Sequence, residues 1–287
     1  MENAQNPRTS DVASLVNLTR YPIENLDTPA GRALIADCRR NLEESGALVL
    51  SNFVMPTAAA LLAAEARALD WAVHQYHVDH TVYFEPRNET VSDGHPRRRL
   101  VRTDKGSVPY DLIPSSALLR RLYEWNPLLA FVAAVLNETA LYRHGDPMAA
   151  LNINVHDQGQ QLGWHFDRTD FAVTLSLQES ESGGIFEYVP NLRTADEENY
   201  DGVANILAGD RSAVRQLPAA PGTLTLFRGH FSLHRVSPGS GPSKRLMAAL
   251  SFAHEPGVIF SPYARKLFYG RETPVNPTAT NPALGAV

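Results

Sequence analysis

The 287-residue sequence predicts an α+β protein, with helices in its first half and a closed antiparallel sheet in its second half. Helical apolar spacing with recognisable end signals recurs before residue 138. After Thr139 the pattern changes to short alternating or β-branched runs. Because no helices separate these runs, an antiparallel sandwich, barrel or jelly roll is favoured over a doubly wound α/β fold.

The helices are predicted from proline and glycine residues at positions typical of helix ends. The segment PAGRALIADCRRNLEESG has Pro29 near its start and Gly46 just past its end, the asymmetry expected of helix ends. The short apolar strand ALVLSNFV follows, and Pro56 then opens an alanine-rich amphipathic helix. Further along, Pro127 predicts a kink or a boundary between two helices within SSALLRRLYEWNPLLAFVAAVLNET. Between these helices, residues 76–114 are predicted to form a long irregular loop.

The second half contains seven runs that predict strands: ALYRH, AALNINVH, FAVTLSLQ, GGIFEYV, TLTLFRG, FSLHRVS and RLMAALSFAH. Gly, Pro, Asp and Ser separate the runs, and a polar, partly helical insertion follows Pro190. The Pro/Ala/Thr-rich end predicts disorder. We therefore expect one domain over residues 1–275, with a helical part at 1–138 and a sheet core at 139–260, and a disordered tail at 276–287.

Composition and charge exclude several classes of protein. The formal net charge is −5, which argues against a nucleic-acid partner because phosphates demand a basic face. A single cysteine, Cys38, excludes an intrachain disulfide framework and thiolate metal clusters. The polar N-terminus shows no secretory signal, and no apolar run is long enough to span a bilayer. We expect a cytoplasmic protein without a membrane partner.

The stretch QQLGWHFDRTD contains the first candidate site residues. His165 and Asp167 share one face of a short extended segment, because strand side chains alternate. Taken alone, this pair is most simply a salt-bridged surface pair. If a third ligand came from another strand, the two histidines and one carboxylate would form a triangular face on a metal, with open positions for a co-substrate and dioxygen. That geometry is typical of non-heme iron(II) oxygenases.

A later segment contains the third ligand that this hypothesis requires. His234 lies on a second alternating strand in GTLTLFRGHFSLHRVSP, and His230 would share its face, so either could be the ligand. Arg245 opens the next strand, and its bidentate guanidinium suits a buried carboxylate beside the metal. A 2-oxo acid co-substrate has such a carboxylate, which would be strongly disfavoured if it were buried without a partner.

These motifs resemble the iron(II)/2-oxoglutarate-dependent oxygenase superfamily, and more narrowly its radical halogenases of free lysine-type amino acids and their hydroxylating relatives. The similarity lies in GWHFD, GGIFEYVPNLR, PGTLTLFRGHFSLHRVSP and KRLMAALSF. It implies a cupin-like jelly roll, the double-stranded β-helix, with N-terminal helices packed on it. By position it implies His165, Asp167 and His234 as iron(II) ligands, and Arg245 as the residue that binds 2-oxoglutarate.

The resemblance also bears on the reaction. The halogenases of this group carry a small residue where this sequence keeps Asp167, and that residue opens a position for halide. The resemblance therefore implies hydroxylation of a small polar molecule, most plausibly a free amino acid, with O₂ consumed and succinate and CO₂ released. Desaturation or cyclisation remains open because substrate pose decides between them. A metal-binding cupin without oxygenase activity and a noncatalytic relative are further alternatives.

Other polar side chains are candidates for the same site. Asn152, Thr174 and Ser176 are expected to contact 2-oxoglutarate, and Asn154 and Trp164 are candidate substrate contacts, although pairing across strands or packing would also explain them. An amino-acid substrate needs a cation for its carboxylate, and we expect Arg99 or Arg102 to supply it. For the remaining histidines we expect structural roles: a solvated helix face for the histidines of HQYHVDH and ordinary hydrogen bonding for His156.

Overall fold

The computed structural model describes residues 12–275. The predicted disordered tail at 276–287 lies outside the described residues. The α-helices of the described part are Pro29–Ser45 (α1), Pro56–Ala68 (α2), Leu118–Glu124 (α3), Asn126–Leu136 (α4), Tyr200–Ala208 (α5) and Pro262–Tyr269 (α6).

The helix predictions for the first half are confirmed. Helix α1 begins after Thr28, whose hydroxyl accepts a hydrogen bond from the N–H of Gly31, and ends at Gly46. Gly46 adopts a left-handed conformation with φ of 69°, which glycine tolerates without a Cβ penalty. Pro127 lies in the first turn of α4, directly after the break that separates it from α3.

The strands form two main sheets and two short two-stranded sheets. Their bounds are Ala47–Leu50 (β1), His74–His80 (β2), Val101–Val108 (β3), Tyr142–Arg143 (β4), Leu151–His156 (β5), Leu162–His165 (β6), Ala172–Gln178 (β7), Ser182–Gly183 (β8), Phe186–Val189 (β9), Arg215–Leu217 (β10), Leu224–Phe227 (β11), Leu233–Val236 (β12), Gly239–Ser240 (β13), Arg245–Leu250 (β14) and Phe252–Ala253 (β15). The larger sheet has the order β1-β11-β7-β14-β5-β3-β2, and the smaller sheet has the order β10-β9-β12-β6. The two short sheets pair β8 with β13 and β4 with β15.

Every pair of neighbouring strands in the two sheets is antiparallel. From β5 onward the chain passes back and forth between the sheets, which is the winding of a double-stranded β-helix. The predicted α+β fold with a jelly-roll core is therefore confirmed.

The two faces of the larger sheet differ in polarity. Its apolar face carries residues such as Ile153, Leu175 and Leu226, which join one buried core with the apolar side chains of α1 to α4. The alternating residues point to the other face, which is turned toward the smaller sheet and lines the barrel interior. The helices therefore cover the outside of the larger sheet and leave its polar side chains for the interior.

The prediction of a loop over residues 76–114 is wrong. The chain there contributes β2 and β3, which pair antiparallel from His74–Ser107 to His80–Val101. The expected division at residue 138 therefore does not separate helices from sheet, since β1 to β3 all belong to the larger sheet. Both β2 and β3 are rich in polar residues, because β2 is an edge strand and β3 lines the interior. Neither sequence therefore shows the apolar–polar alternation that is typical of a strand.

The insertion after Pro190 covers the outside of the smaller sheet. Its helix α5 places Val203, Ile206 and Leu207 in a second apolar cluster, together with Trp164 and Leu233 of the sheet. The prediction that this insertion is polar and partly helical is confirmed. The segment closes the outer face of the strands that carry His165 and His234.

Candidate metal centre

Three side chains converge at one end of the smaller sheet. His165 ends β6, Asp167 follows two residues later, and His234 lies on β12, where it pairs directly with His165. Both Nε2 atoms are 3.5 Å from Asp167 Oδ1, and one ligand atom from each residue lies within 4.8 Å of the others. His234, and not the alternative His230, belongs to this cluster.

Backbone carbonyls orient both imidazoles. His165 Nδ1 donates to the carbonyl of Gly163 at 2.8 Å, and His234 Nδ1 donates to the carbonyl of Ser232 at 2.9 Å. Because each Nδ1 carries the proton, each Nε2 keeps its lone pair directed toward Asp167. This tautomer is the one that a metal ligand requires.

The electrostatics of the cluster favour a cation. Burial and the neighbouring His234 lower the pKa of His165 to about 4, so its imidazole is neutral at physiological pH. Burial alone would raise the pKa of Asp167, but the imidazoles of His234 and His165 hold it well below its ordinary value. The second oxygen of Asp167, Oδ2, is buried and has no hydrogen-bond partner in the described residues. Two imidazole nitrogens and one carboxylate make a donor set that fits iron(II).

Aromatic rings enclose the two histidines. Phe84 lies edge-on to His165 with ring centroids 5.3 Å apart, while Phe186 stacks on His234 at 5.5 Å. Phe227 contacts His234 from a third direction at 4.8 Å. These apolar walls fix the imidazole rotamers and limit access of water.

A row of polar side chains crosses the interior face of the larger sheet. Arg245 on β14 pairs with His156 on β5. The strand β3 lies on the other side of β5, where Gly106 pairs with Val155. Lys105 precedes Gly106 and therefore lies beside His156. Arg245 and His156 are buried. Arg245 Nε and both ring nitrogens of His156 have no hydrogen-bond partner among the described residues. Buried polar atoms without partners are costly, so this row is suited to a polar ligand.

The other interior residues predicted from the sequence also lie on this face. Thr174 and Asn152 both pair with Ala249, and Ser176 and Asn154 both pair with Met247. The Ser176 hydroxyl already donates to the carbonyl of Ala219, and the Asn154 side-chain oxygen accepts from Lys105. Thr174 and Asn152 have no side-chain hydrogen bond to another described residue.

Arg99, Arg102 and Trp164, the predicted substrate contacts, lie together on the outer side of the smaller sheet and not beside the three candidate metal ligands. Trp164 alternates with His165 along β6, so its ring lies on the outer face, under the guanidinium groups of Arg211 and Arg235 at 5.5 Å and 4.9 Å. Arg99 and Arg102 line the same outer cavity of about 240 Å³. Arg102 pairs with Asp104 at 3.1 Å. Because side chains alternate along a strand, Trp164 faces away from His165 on β6, and Arg102 faces away from Thr103 on β3.

Several residues of the site were missed at the sequence level. His80 belongs to β2, not to a helix face; its Nδ1 donates to the Thr81 carbonyl and its Nε2 accepts from Thr103. Thr103 in turn accepts from the N–H of Gly163, which positions the strand of His165. The sequence predicts ordinary hydrogen bonding for His156, whereas neither of its ring nitrogens has a partner among the described residues. An alternating pattern of polar residues in VRTDKGSV was the available signal.

The fold is shared with 2-oxoglutarate-dependent enzymes of known structure. The chain is similar to SnoN, a non-heme α-ketoglutarate-dependent epimerase of nogalamycin biosynthesis (TM-score 0.53, 14% identity, 77% of this chain and 83% of that one covered). It is similar to SnoK, an α-ketoglutarate-dependent carbocyclase of the same biosynthesis (0.52, 13%, 85% and 94%). A 2OG-Fe(II) oxygenase family protein from Burkholderia pseudomallei is a third such structure (0.50, 15%, 78% and 92%). The architecture is that of this class of oxygenases.

The family follows from the sequence match. Residues 30–258 match the family model described as HalD, Halogenase D, and the chain therefore belongs to the Halogenase D family. No curated protein sequence matches it. Within residues 12–275, no helix is both long and apolar enough to cross a membrane.

Proposed function

We propose that this protein is an iron(II)- and 2-oxoglutarate-dependent oxygenase that hydroxylates an unactivated C–H bond of a small polar substrate, most plausibly a free amino acid. The observation that carries the proposal is the convergence of His165, Asp167 and His234 in a barrel whose interior also holds Arg245. The protein would act as a single domain over residues 1–275. A cytoplasmic location belongs to the same proposal and is supported by the lone, buried and reduced Cys38.

The two histidines and Asp167 would hold the metal. Their lone pairs point at one region, and the second carboxylate oxygen of Asp167 is available to a cation or to a metal-bound water. Bound iron(II), with 2-oxoglutarate and O₂, supplies an oxidant that removes a hydrogen atom from a C–H bond, and succinate and CO₂ are the co-products. The aromatic walls around His165 and His234 would exclude water from that chemistry.

Arg245 would bind the distal carboxylate of 2-oxoglutarate. Its guanidinium is buried, its Nε is without a hydrogen-bond partner among the described residues, and burial lowers its pKa to about 10, so it stays charged. Gly184 makes room for it, because a Cβ there would lie 3.2 Å from Arg245 Cδ. Thr174, Ser176 and Asn152 on the neighbouring strands would complete the co-substrate site.

Asp167 favours hydroxylation over halogenation. Membership of the Halogenase D family makes halogenation the second candidate. Here, however, Asp167 Oδ1 lies 3.5 Å from the Nε2 atoms of both His165 and His234, where a third protein ligand is expected. A halide would therefore have to displace the Asp167 carboxylate. Desaturation and cyclisation use the same residues, and the pose of the substrate would select among the three outcomes.

The experiment is a coupled turnover assay under air with iron(II) and 2-oxoglutarate, across a panel of free amino acids, with detection of succinate and of products by mass spectrometry. We expect a product heavier by one oxygen atom and no chlorinated product at high chloride. His165→Ala and Asp167→Ala should abolish coupled turnover, whereas Arg245→Met should weaken 2-oxoglutarate binding at least tenfold and leave iron binding intact. Full activity of Asp167→Ala, or chlorination by the wild type, would contradict the proposal.

A further inference from the structure

The outer cavity lies on the reverse side of the two strands that carry the candidate metal histidines. Trp164 precedes His165 on β6, and Arg235 follows His234 on β12, so both side chains point away from the barrel interior. The guanidinium of Arg235 lies over the Trp164 ring at 4.9 Å, and that of Arg211 lies over the same ring at 5.5 Å. Trp164 is buried, so its ring forms the floor of this cavity.

The charged side chains that line the outer cavity are all basic. Among the described residues they are Arg99, Arg102, Arg211 and Arg235. Arginine stays charged throughout the physiological pH range, so the four groups repel one another. Two of them have carboxylate partners that lie outside the lining: Arg235 pairs with Glu187 at 2.6 Å, and Arg102 pairs with Asp104 at 3.1 Å.

The other two guanidinium groups form no ion pair within residues 12–275. Arg99 is exposed, and its side chain makes no hydrogen bond to another described residue. Arg211 donates to the carbonyls of Ile206 and Asp210, both at 2.9 Å. The Asp210 carboxylate attracts Arg211, but it is exposed to solvent and accepts the N–H of Ser212. Two positive charges therefore remain at the cavity, and Asp210 offsets only part of one.

We propose that the outer cavity binds a compact anion of the phosphate type that carries at least two negative charges, either free diphosphate or the terminal phosphates of a nucleotide. Guanidinium groups bind phosphate oxygens through two parallel hydrogen bonds. Arg99 and Arg211 would supply the charges that lack a carboxylate partner. The cavity volume of about 240 Å³ is below the roughly 300–1,000 Å³ of sites for drug-sized ligands, which favours a compact anion.

The anion would lie beside the metal centre without entering it. Gly163 also lines the cavity, and its carbonyl accepts the hydrogen bond of His165 Nδ1. The bound anion would therefore contact β6 from the side opposite the candidate metal ligands. Arg245 and Lys105 face the barrel interior and would take no part in binding it. This inference does not depend on the proposed function, since it uses neither iron(II) nor 2-oxoglutarate.

The test is calorimetric titration of the full-length protein with inorganic diphosphate. Divalent metal is removed first, so that diphosphate cannot bind through a metal ion, and sodium chloride holds the ionic strength constant. Succinate, a dianion without phosphate, and adenosine 5′-diphosphate are titrated in the same way. The Tm with and without diphosphate is a second measurement, because a ligand that binds only the folded state raises it.

We expect saturable binding of diphosphate at one site, with a Kd at least tenfold lower than that of succinate. The double variant Arg99→Gln, Arg211→Gln should raise the Kd for diphosphate at least tenfold and abolish the rise in Tm. Arg32→Gln with Arg40→Gln is the matched control, because both arginines are exposed on α1 and the change in charge is the same. That control should bind diphosphate within about twofold of the wild type.

Two further variants locate the site and protect the test from a folding defect. Arg99→Gln alone should raise the Kd at least threefold, and it removes no hydrogen bond to another described residue, so the fold is retained. Arg245→Met changes the barrel interior and should leave the Kd within about twofold. Adenosine 5′-diphosphate distinguishes the two sources: equal affinity identifies a terminal diphosphate as the recognised group, and tenfold weaker binding identifies the free ion.

Three results would overturn the proposal. The first is the absence of saturable diphosphate binding to the wild type. The second is an equal loss of affinity in the Arg99, Arg211 variant and in the Arg32, Arg40 control, since binding would then reflect net charge alone. The third is a tenfold loss in Arg245→Met, which would place the anion inside the barrel. Failure of iron(II) or 2-oxoglutarate binding would contradict only the proposed function.

Discussion

Gly229 contributes to the metal centre by having no side chain. Its carbonyl accepts the N–H of Asp167 at 3.0 Å, which fixes the backbone just after β6. A Cβ at Gly229 would lie 1.8 Å from Asp167 Oδ2, far inside contact distance. The proposed iron ligand therefore depends on the close approach of two loops that follow β6 and β11.

We predict that Gly229→Ala displaces the Asp167 carboxylate and lowers iron(II) affinity by roughly tenfold or more, the usual effect of disturbing a residue that orients a ligand. Competition with a chromogenic chelator would measure the affinity. Gly94→Ala is the control, because a Cβ at Gly94 meets nothing within 4 Å. Wild-type iron affinity in Gly229→Ala would show that this contact does not position Asp167.

At the scale of elements, buried ion pairs attach the C-terminal helix to the barrel. Asp146, which is fully buried, accepts from Arg265 of α6 at 2.8 Å and from the N–H groups of Met148 and Phe260. Arg271, just after α6, pairs with Asp111 at 2.6 Å. Because Phe268 of α6 packs on Tyr76, this attachment also shapes the interior beside Lys105.

Arg265→Met should lower the free energy of unfolding by about 3 kcal/mol, because it leaves the Asp146 carboxylate buried without its cation. Denaturant unfolding would measure the loss. Arg40→Met removes an exposed pair with Asp37 and should cost about 1 kcal/mol or less. Equal losses in the two variants would mean that the buried pair contributes no more than a surface pair.

For the whole molecule, buried neutral histidines predict a loss of stability in acid. Burial lowers the pKa of His80, His144, His156 and His165, so the folded protein binds fewer protons than the unfolded chain once the pH falls below about 6.5. Stability therefore rises with pH through this range and is lost as pH falls. The lowered pKa of Asp167 acts in the same direction at lower pH.

We expect the Tm of the metal-free protein to be several degrees lower at pH 5 than at pH 7. His156→Asn should reduce that difference, because residue 156 would no longer be protonated on unfolding. A Tm independent of pH between 5 and 7 would contradict the assignment of neutral buried histidines.

The accuracy of the sequence-level predictions varied with the polarity of each element. Helices α1 and α2 were predicted correctly because Pro29, Gly46 and Pro56 mark their ends in the local sequence. The strands with one apolar face, such as β7 and β14, were also recognised. In contrast, the sequence predicts a helix face for the histidines of β2 and a loop for β3. Both predictions fail because polar side chains at a sheet edge and in a barrel interior do not show the usual apolar alternation.

The local pattern indicates an antiparallel sandwich, barrel or jelly roll, because alternation is a property of neighbouring residues. The family resemblance then selects the jelly roll and the residues His165, Asp167, His234 and Arg245. The local pattern does not show which polar side chains of β3 face the barrel interior. Arg102 and Lys105 are three residues apart, and the pairing of β3 with β5 and β6 turns the lysine inward and the arginine outward. Strand register depends on contacts between distant parts of the chain, so only the folded structure shows that Lys105 faces the interior.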